Sequence, residues 1–367
     1  MTGPLRRWAR PLVFAVCAVV AAAVWAVRPA VQTAQPSFAQ LVAELSEPGG
    51  YFDTDNLISN EKSYLHVVSQ LEEEGVSGGV YIGVGPDQNF SYIGRIRPTA
   101  AFLIDIRRDN LLLHLLFKAL FAASRNRLEF LCLLTGRPVP GDLESWRDAG
   151  ISRIAAYIDQ TEPQPLAALG RRLQDAIRSF GVPVTDKEFA TIGRFHEVFA
   201  AQGLSLQFQS FGRPVQSYNP TFRELLLETD REGRQANYLA SEEDFQFVRA
   251  LQARDAVIPV VGDLGGTHAL AAIGRWMASH DEQLAAFYVS NVENYLFRYG
   301  NFEQYMENLK QLPHNGRSVV IRSIFGRYRV AESVPGYYTT SVVQNFRELL
   351  ANYVGGRYRR YSDLVGR

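Results

Sequence analysis

Short runs of apolar, β-branched and aromatic residues recur along the chain, each ended by glycine or a polar side chain. Residues 79–82 and 101–104 are two such runs and read as buried parallel strands. Three more follow at 257–261, 285–289 and 318–324. Elsewhere apolar residues return with helical spacing, over 37–47, 60–74, 110–123, 128–134, 269–277, 302–309 and 342–353. Ser59 stands where it caps the 60–74 helix, with Glu61 in its first turn. His114 and Lys118 sit four apart and share one stripe of the 110–123 helix. Strands alternating with helices predict an α/β fold: a doubly wound, mostly parallel, Rossmann-like sheet covered on both faces.

The pattern changes between 138 and 254. Helical periodicity over 151–158, 165–177, 186–201 and 241–251 is broken by Pro, Gly and polar loops, with no repeat period. This stretch reads as a helical insertion, either a lid that shapes a pocket or plain scaffold. At the other end, Arg6, Arg7 and Arg10 precede the charge-free residues 11–27. A basic flank, an apolar run and small residues after it describe a signal peptide. The run is 17 residues long, the lower edge for a membrane-spanning apolar helix, so an uncleaved anchor in the cytoplasmic membrane is the other reading. The basic flank predicts the body outside the cytoplasm, with a cytoplasmic location as the alternative. The expected parts are 1–34 as signal peptide or anchor, 35–137 as the first part of the α/β domain, 138–254 as the insertion, and 255–367 as its second part with a C-terminal helix.

The ends of the apolar runs carry the candidate chemistry. The first ends in Gly83-Val84-Gly85, where the backbone turns sharply and a ligand can approach, and Asp87 and Asn89 follow. The second ends in Asp105, 22 residues after Gly83, at the distance that suits a carboxylate accepting from a ribose diol. Asp263 and Leu264 follow the third run, and Asn291, Glu293 and Tyr295 follow the fourth. Ligands of open α/β sheets bind outside the carboxyl ends of the strands, so four polar strand ends in succession amount to a site. Glu61 lies in a segment rich in Asp and Asn just ahead of the glycine loop, where it can face the same ligand.

Composition removes several alternatives. The formal net charge is zero and no basic block interrupts the body, so a nucleic-acid partner has no electrostatic footprint. Cys17 and Cys132 make no disulfide framework, and the six histidines show no metal-binding spacing.

The order of glycine loop, ribose Asp, Asp after the third strand and polar motif after the fourth resembles the class I S-adenosylmethionine-dependent methyltransferase superfamily. The wording Gly-Val-Gly-Pro-Asp-Gln-Asn and Tyr-Val-Ser-Asn-Val-Glu-Asn-Tyr-Leu is similar to an uncharacterised bacterial family of methyltransferase-like proteins. The resemblance spans most of 45–325 and is weakest in the insertion. It implies S-adenosylmethionine as cofactor and no metal. Gly83, Gly85, Asp87 and Asn89 would form the loop, Asp105 would hold the ribose, and Asp263 with the Leu264 amide would read the adenine edge. Asn291, Glu293 and Tyr295 would face an unknown acceptor, with Glu293 as general base. The chain departs from the family at Tyr81, where an acidic residue is usual; Glu61 or Asp87 would take its place. Pro86 to Asn89 replace the third glycine, and an export signal would carry the body away from the usual cofactor supply. Two other readings stay open: a non-catalytic, envelope-anchored binding or scaffold protein with a repurposed fold, and a nicotinamide-dependent oxidoreductase.

Overall fold

Six strands, β1 (Val80–Val84), β2 (Ala100–Asp105), β3 (Val257–Val261), β4 (Leu284–Ser290), β5 (His314–Phe325) and β6 (Thr339–Asn345), form one sheet in the order β3-β2-β1-β4-β5-β6. The computed structural model describes residues 1, 3, 36–54 and 56–366, so the apolar run at 11–27 lies outside the described residues. All pairings are parallel except β5 with β6. The order reverses between β1 and β4, an arrangement shared with Rossmann-type sheets. Strands β1 and β3 are buried at every residue, which is why they read as continuous apolar runs rather than as alternating ones. Residues 37–367 cluster as one unit, and among the described residues no helix is long and apolar enough to cross a membrane.

Helix Arg108–Ala123 packs against β2 and β3, while helices Arg127–Thr135, Ala167–Ser179, Asp186–Gln202 and Glu242–Ala253 pack against it. It is buried without a break from Asn110 to Phe121, which explains an apolar content too even for one face. His114 and Lys118 therefore share no exposed stripe. His114 is buried and its Nε2–H donates to Gly85 O at 2.9 Å, beneath the glycine turn.

Three other expectations shift. The 60–74 helix is a 3-10 segment at Lys62–Val67 that becomes α-helical only over Val68–Glu73. Ser59 Oγ accepts from Glu61 N, and the Glu61 side chain turns into the core instead of dressing a helix terminus. The 342–353 helix is two elements, β6 and then helix Phe346–Val354, whose first amides donate to Asn345 Oδ1. β5 would otherwise end the sheet, and β6 pairs with it antiparallel from Val319↔Asn345 to Phe325↔Thr339. Between β1 and β2, a stretch legible only as a connection holds helix Gln88–Ile96, closed by Arg97 at φ 55°.

A buried ion pair ties the sheet to the helix after β4. Arg322 of β5 is 1% exposed, as is Glu293 of helix Val292–Tyr299. The guanidinium donates from Nε to Oε2 at 2.6 Å and from Nη2 to Oε1 at 3.1 Å, and from Nη1 to Gln344 Oε1 of β6 at 2.7 Å. Removing one partner strands a charge in the core. Glu293→Ala should lower stability by about 3–5 kcal/mol in urea unfolding, and an unchanged midpoint would contradict this placement.

Candidate functional site

A cleft of about 330 Å³ opens at the carboxyl ends of β1 to β4, where the strand order reverses. Seven of the expected residues line it: Glu61, Gly85, Asp105, Asp263, Leu264, Asn291 and Tyr295. Gly83, Asp87, Asn89 and Glu293 do not. Glu293 points into the sheet and is held by Arg322, so its carboxylate is not presented to the cleft.

Gly83 and Asn89 build the cleft from behind. Asn89 Nδ2 donates to the carbonyls of Val84, Gly85 and Pro86 at 3.0, 3.3 and 2.8 Å, and its Oδ1 accepts from Tyr81 OH at 2.8 Å. A Cβ on Gly83 would lie 1.9 Å from that Oδ1, so only glycine fits against the staple. Gly85 adopts φ 84° and turns the chain out of β1. Asp87 is buried beside Tyr238, and burial pushes its carboxyl up to about 7.

On the floor, Glu61 is 1% exposed, and its two carboxylate oxygens accept from Tyr288 OH and Ser290 Oγ, both on β4. Burial raises its pKa, while those hydroxyls pull it down. Among the described residues no Lys, Arg or His forms an ion pair with it. Ser290 itself has φ 54°, an uncommon conformation for a side chain other than glycine at the very end of a strand.

The Asp105 carboxylate accepts from Arg107 at three points: from the backbone N at 2.8 Å, from Nε at 3.2 Å and from Nη2 at 3.1 Å. Arg107 also donates from Nη1 to Thr54 O at 2.9 Å, which ties the strap ahead of Glu61 across the strand ends. Glu47 Oε1 accepts from Asp263 N at 2.7 Å, and Asp263 Oδ1 accepts from Gly265 N at 2.8 Å. Leu264 O accepts from Asn308 Nδ2 at 3.0 Å, anchoring the loop after β3.

Other cleft residues were not singled out by the sequence. Arg107, Thr54 and Asn56 come from next to the expected residues. Ser210 and Arg213 arrive from far along the chain, through a Thr54↔Ser210 bridge and an Asp53–Arg213 pair at 2.7 Å. The density of Asp and Asn over 51–61 was the one available signal. No local pattern marks a contact more than 150 residues away.

The protein is of the α/β class, with a mostly parallel sheet and a lined cleft where its strand order reverses. The chain belongs to a family described as a domain of unknown function (DUF7790), which it matches over 56–139 and 205–363. The cleft residues from Asn56 onward all fall inside the matched segments. No curated protein matches the chain.

Asp87 supplies a pH test. Its folded pKa lies above the ordinary 3.8, so the folded state holds the proton more tightly than the unfolded one. The stability this confers is present below about pH 4 and is lost as pH rises through about 7. Asp87→Asn should therefore gain stability relative to the parent as pH rises from about 4 to about 7, the window between the two pKa values, read from thermal unfolding. A constant difference across that range would contradict it.

Proposed function

We propose that the protein is methyltransferase-like and binds S-adenosylmethionine or a related nucleoside in this cleft, transferring a methyl group to an acceptor. The observation that carries this reading is the meeting of Gly85, Asp105 and the Asp263–Leu264 pair in one cleft, from the carboxyl ends of three strands or the loops that follow them. Asp105 accepts from the ribose hydroxyls, Asp263 and the Leu264 amide take the adenine edge, and Gly85 lets the chain approach the ligand. A carboxylate offers about four lone-pair sites, so Asp105 retains acceptor capacity beyond its bonds to Arg107. Glu61 meets a ligand ammonium where Tyr81 replaces the usual acid; a buried carboxylate flanked only by hydroxyls favours a cation.

Methyl transfer depends on alignment more than on proton traffic, which suits a site without His or Cys. Asn291 and Tyr295 face the acceptor side. Glu293 has no part in proton transfer here, because its carboxylate is committed to Arg322.

One observation favours a second reading, a non-catalytic, envelope-anchored binding protein with a repurposed fold. Arg107 already balances Asp105, so that wall is electrostatically complete without a ligand.

Calorimetric titration of the full chain with S-adenosylmethionine and S-adenosylhomocysteine separates the two. The expected result is micromolar binding, about −8 kcal/mol, weakened at least about tenfold by Asp105→Ala and by Glu61→Gln. Absence of heat with both ligands would favour the repurposed fold.

A further inference from the structure

Beside Asp105 and Asp263 the cleft carries aromatic and amide side chains with a chemistry of their own. Its mouth is aromatic. Tyr51 is 78% exposed and Tyr299 is 66% exposed, and both line the cleft. Phe52 packs edge-on against Tyr295, with ring centroids 5.0 Å apart at 83°. Tyr295 and Tyr299 are four apart on helix Val292–Tyr299 and stack, with ring centroids 6.4 Å apart and planes 24° apart. Tyr51 and Tyr299 keep most of their surface in water at the cleft mouth. They offer rigid, amphipathic surface to a ligand at small entropic cost.

Behind the rings stand amides rather than charges. Asn56, Asn60 and Asn301 line the cleft, and among the described residues none of their side chains hydrogen-bonds to the protein. Asn291 Oδ1 accepts from Ser290 Oγ at 3.4 Å, and its Nδ2 is uncommitted among the described residues. Each amide carries both donors and acceptors. The two arginines of the cleft are already engaged, Arg213 with Asp53 at 2.7 Å and Arg107 with Asp105 at 3.1 Å.

That combination selects against most ligand classes. A phosphorylated or polyanionic ligand would find its arginines already paired. A flat apolar ligand would leave several amides unsatisfied, at about 1–3 kcal/mol for each group it desolvates. A ring bearing many hydroxyls meets every requirement. Its hydroxyls both donate and accept, and its polarised C–H face rests on the electron-rich face of an aromatic ring. We propose that the mouth of the cleft binds a neutral saccharide unit, stacked on Tyr299 and hydrogen-bonded by Asn60 and Asn291. As the identity of the methyl acceptor this rests on the nucleoside reading of the cleft; as a binding site it stands alone.

Saturation-transfer difference NMR on the full chain tests it, with glucose, galactose, mannose, N-acetylglucosamine and cellobiose as a panel and p-cresol as a planar aromatic comparison. The expected result is saturation of the ring protons of at least one sugar, reduced about fivefold in Tyr299→Ala, the loss of one aromatic stacking contact. Tyr299 is exposed, so this variant keeps the fold, and its S-adenosylhomocysteine titration should match the parent's. Saturation of p-cresol alone, no saturation of any sugar, or sugar signals indifferent to Tyr299→Ala would overturn the proposal. Sugar binding without nucleoside binding would uphold the site and remove its role as methyl acceptor site. Nucleoside binding without sugar binding would overturn the saccharide site and leave the nucleoside reading standing.

Discussion

The side chain of Asn89 holds the centre of this molecule in shape. Three carbonyls of the turn after β1 converge on its amide nitrogen, and Tyr81 donates to its oxygen from within the strand. His114 adds a fourth anchor, from helix Arg108–Ala123 to Gly85 O. Carbonyls that no strand or helix satisfies are costly when buried, and here each is answered by a side chain. The turn is thereby fixed where the strand order reverses, and the cleft walls follow from it. Burial keeps His114 neutral, its pKa lowered to about 4, so it anchors the turn without placing a charge beneath the cleft.

Two buried glutamates divide structure from chemistry. Glu293 and Glu61 are equally inaccessible, and both would be prohibitive if left alone. Glu293 is neutralised by Arg322 and further bound through Gln344, so it joins helix Val292–Tyr299 to β5 and β6. Among the described residues Glu61 has only hydroxyl partners for its carboxylate, and it lines the cleft. Its neighbour Ser290 adopts a left-handed conformation that serves no turn requirement elsewhere in β4. A chain that keeps an unbalanced carboxylate and a strained residue together at a cleft floor sacrifices stability there, a pattern that goes with ligand binding.

The parallel part of the sheet was legible because strands covered on both faces must be apolar at every position, and the runs at 79–82, 101–104 and 257–261 are. β6 was not, because Thr339 to Asn345 alternates weakly and acquires its identity from the exposed edge of β5. Helix Gln88–Ile96 was hidden by the glycines and proline before it and by Gly94 within it. At the site, residues that end strands were readable by position: Asp105, Asp263 and Asn291 line the cleft. Spacing carries no information about direction. Asn89 and Glu293 sit beside cleft residues in sequence yet point away, one as staple and one as ion-pair partner, while Ser210 and Arg213 are brought in by a strap contact that only tertiary folding creates.

Hydrogen–deuterium exchange of the full chain with and without S-adenosylhomocysteine tests the central claim most directly. Binding in the cleft slows exchange at the amides of residues 84–88, 105–107 and 262–264, with the 51–61 strap following. Exchange unchanged at all of these, or slowed only within residues 140–204, would contradict a nucleoside site at the reversal of the sheet.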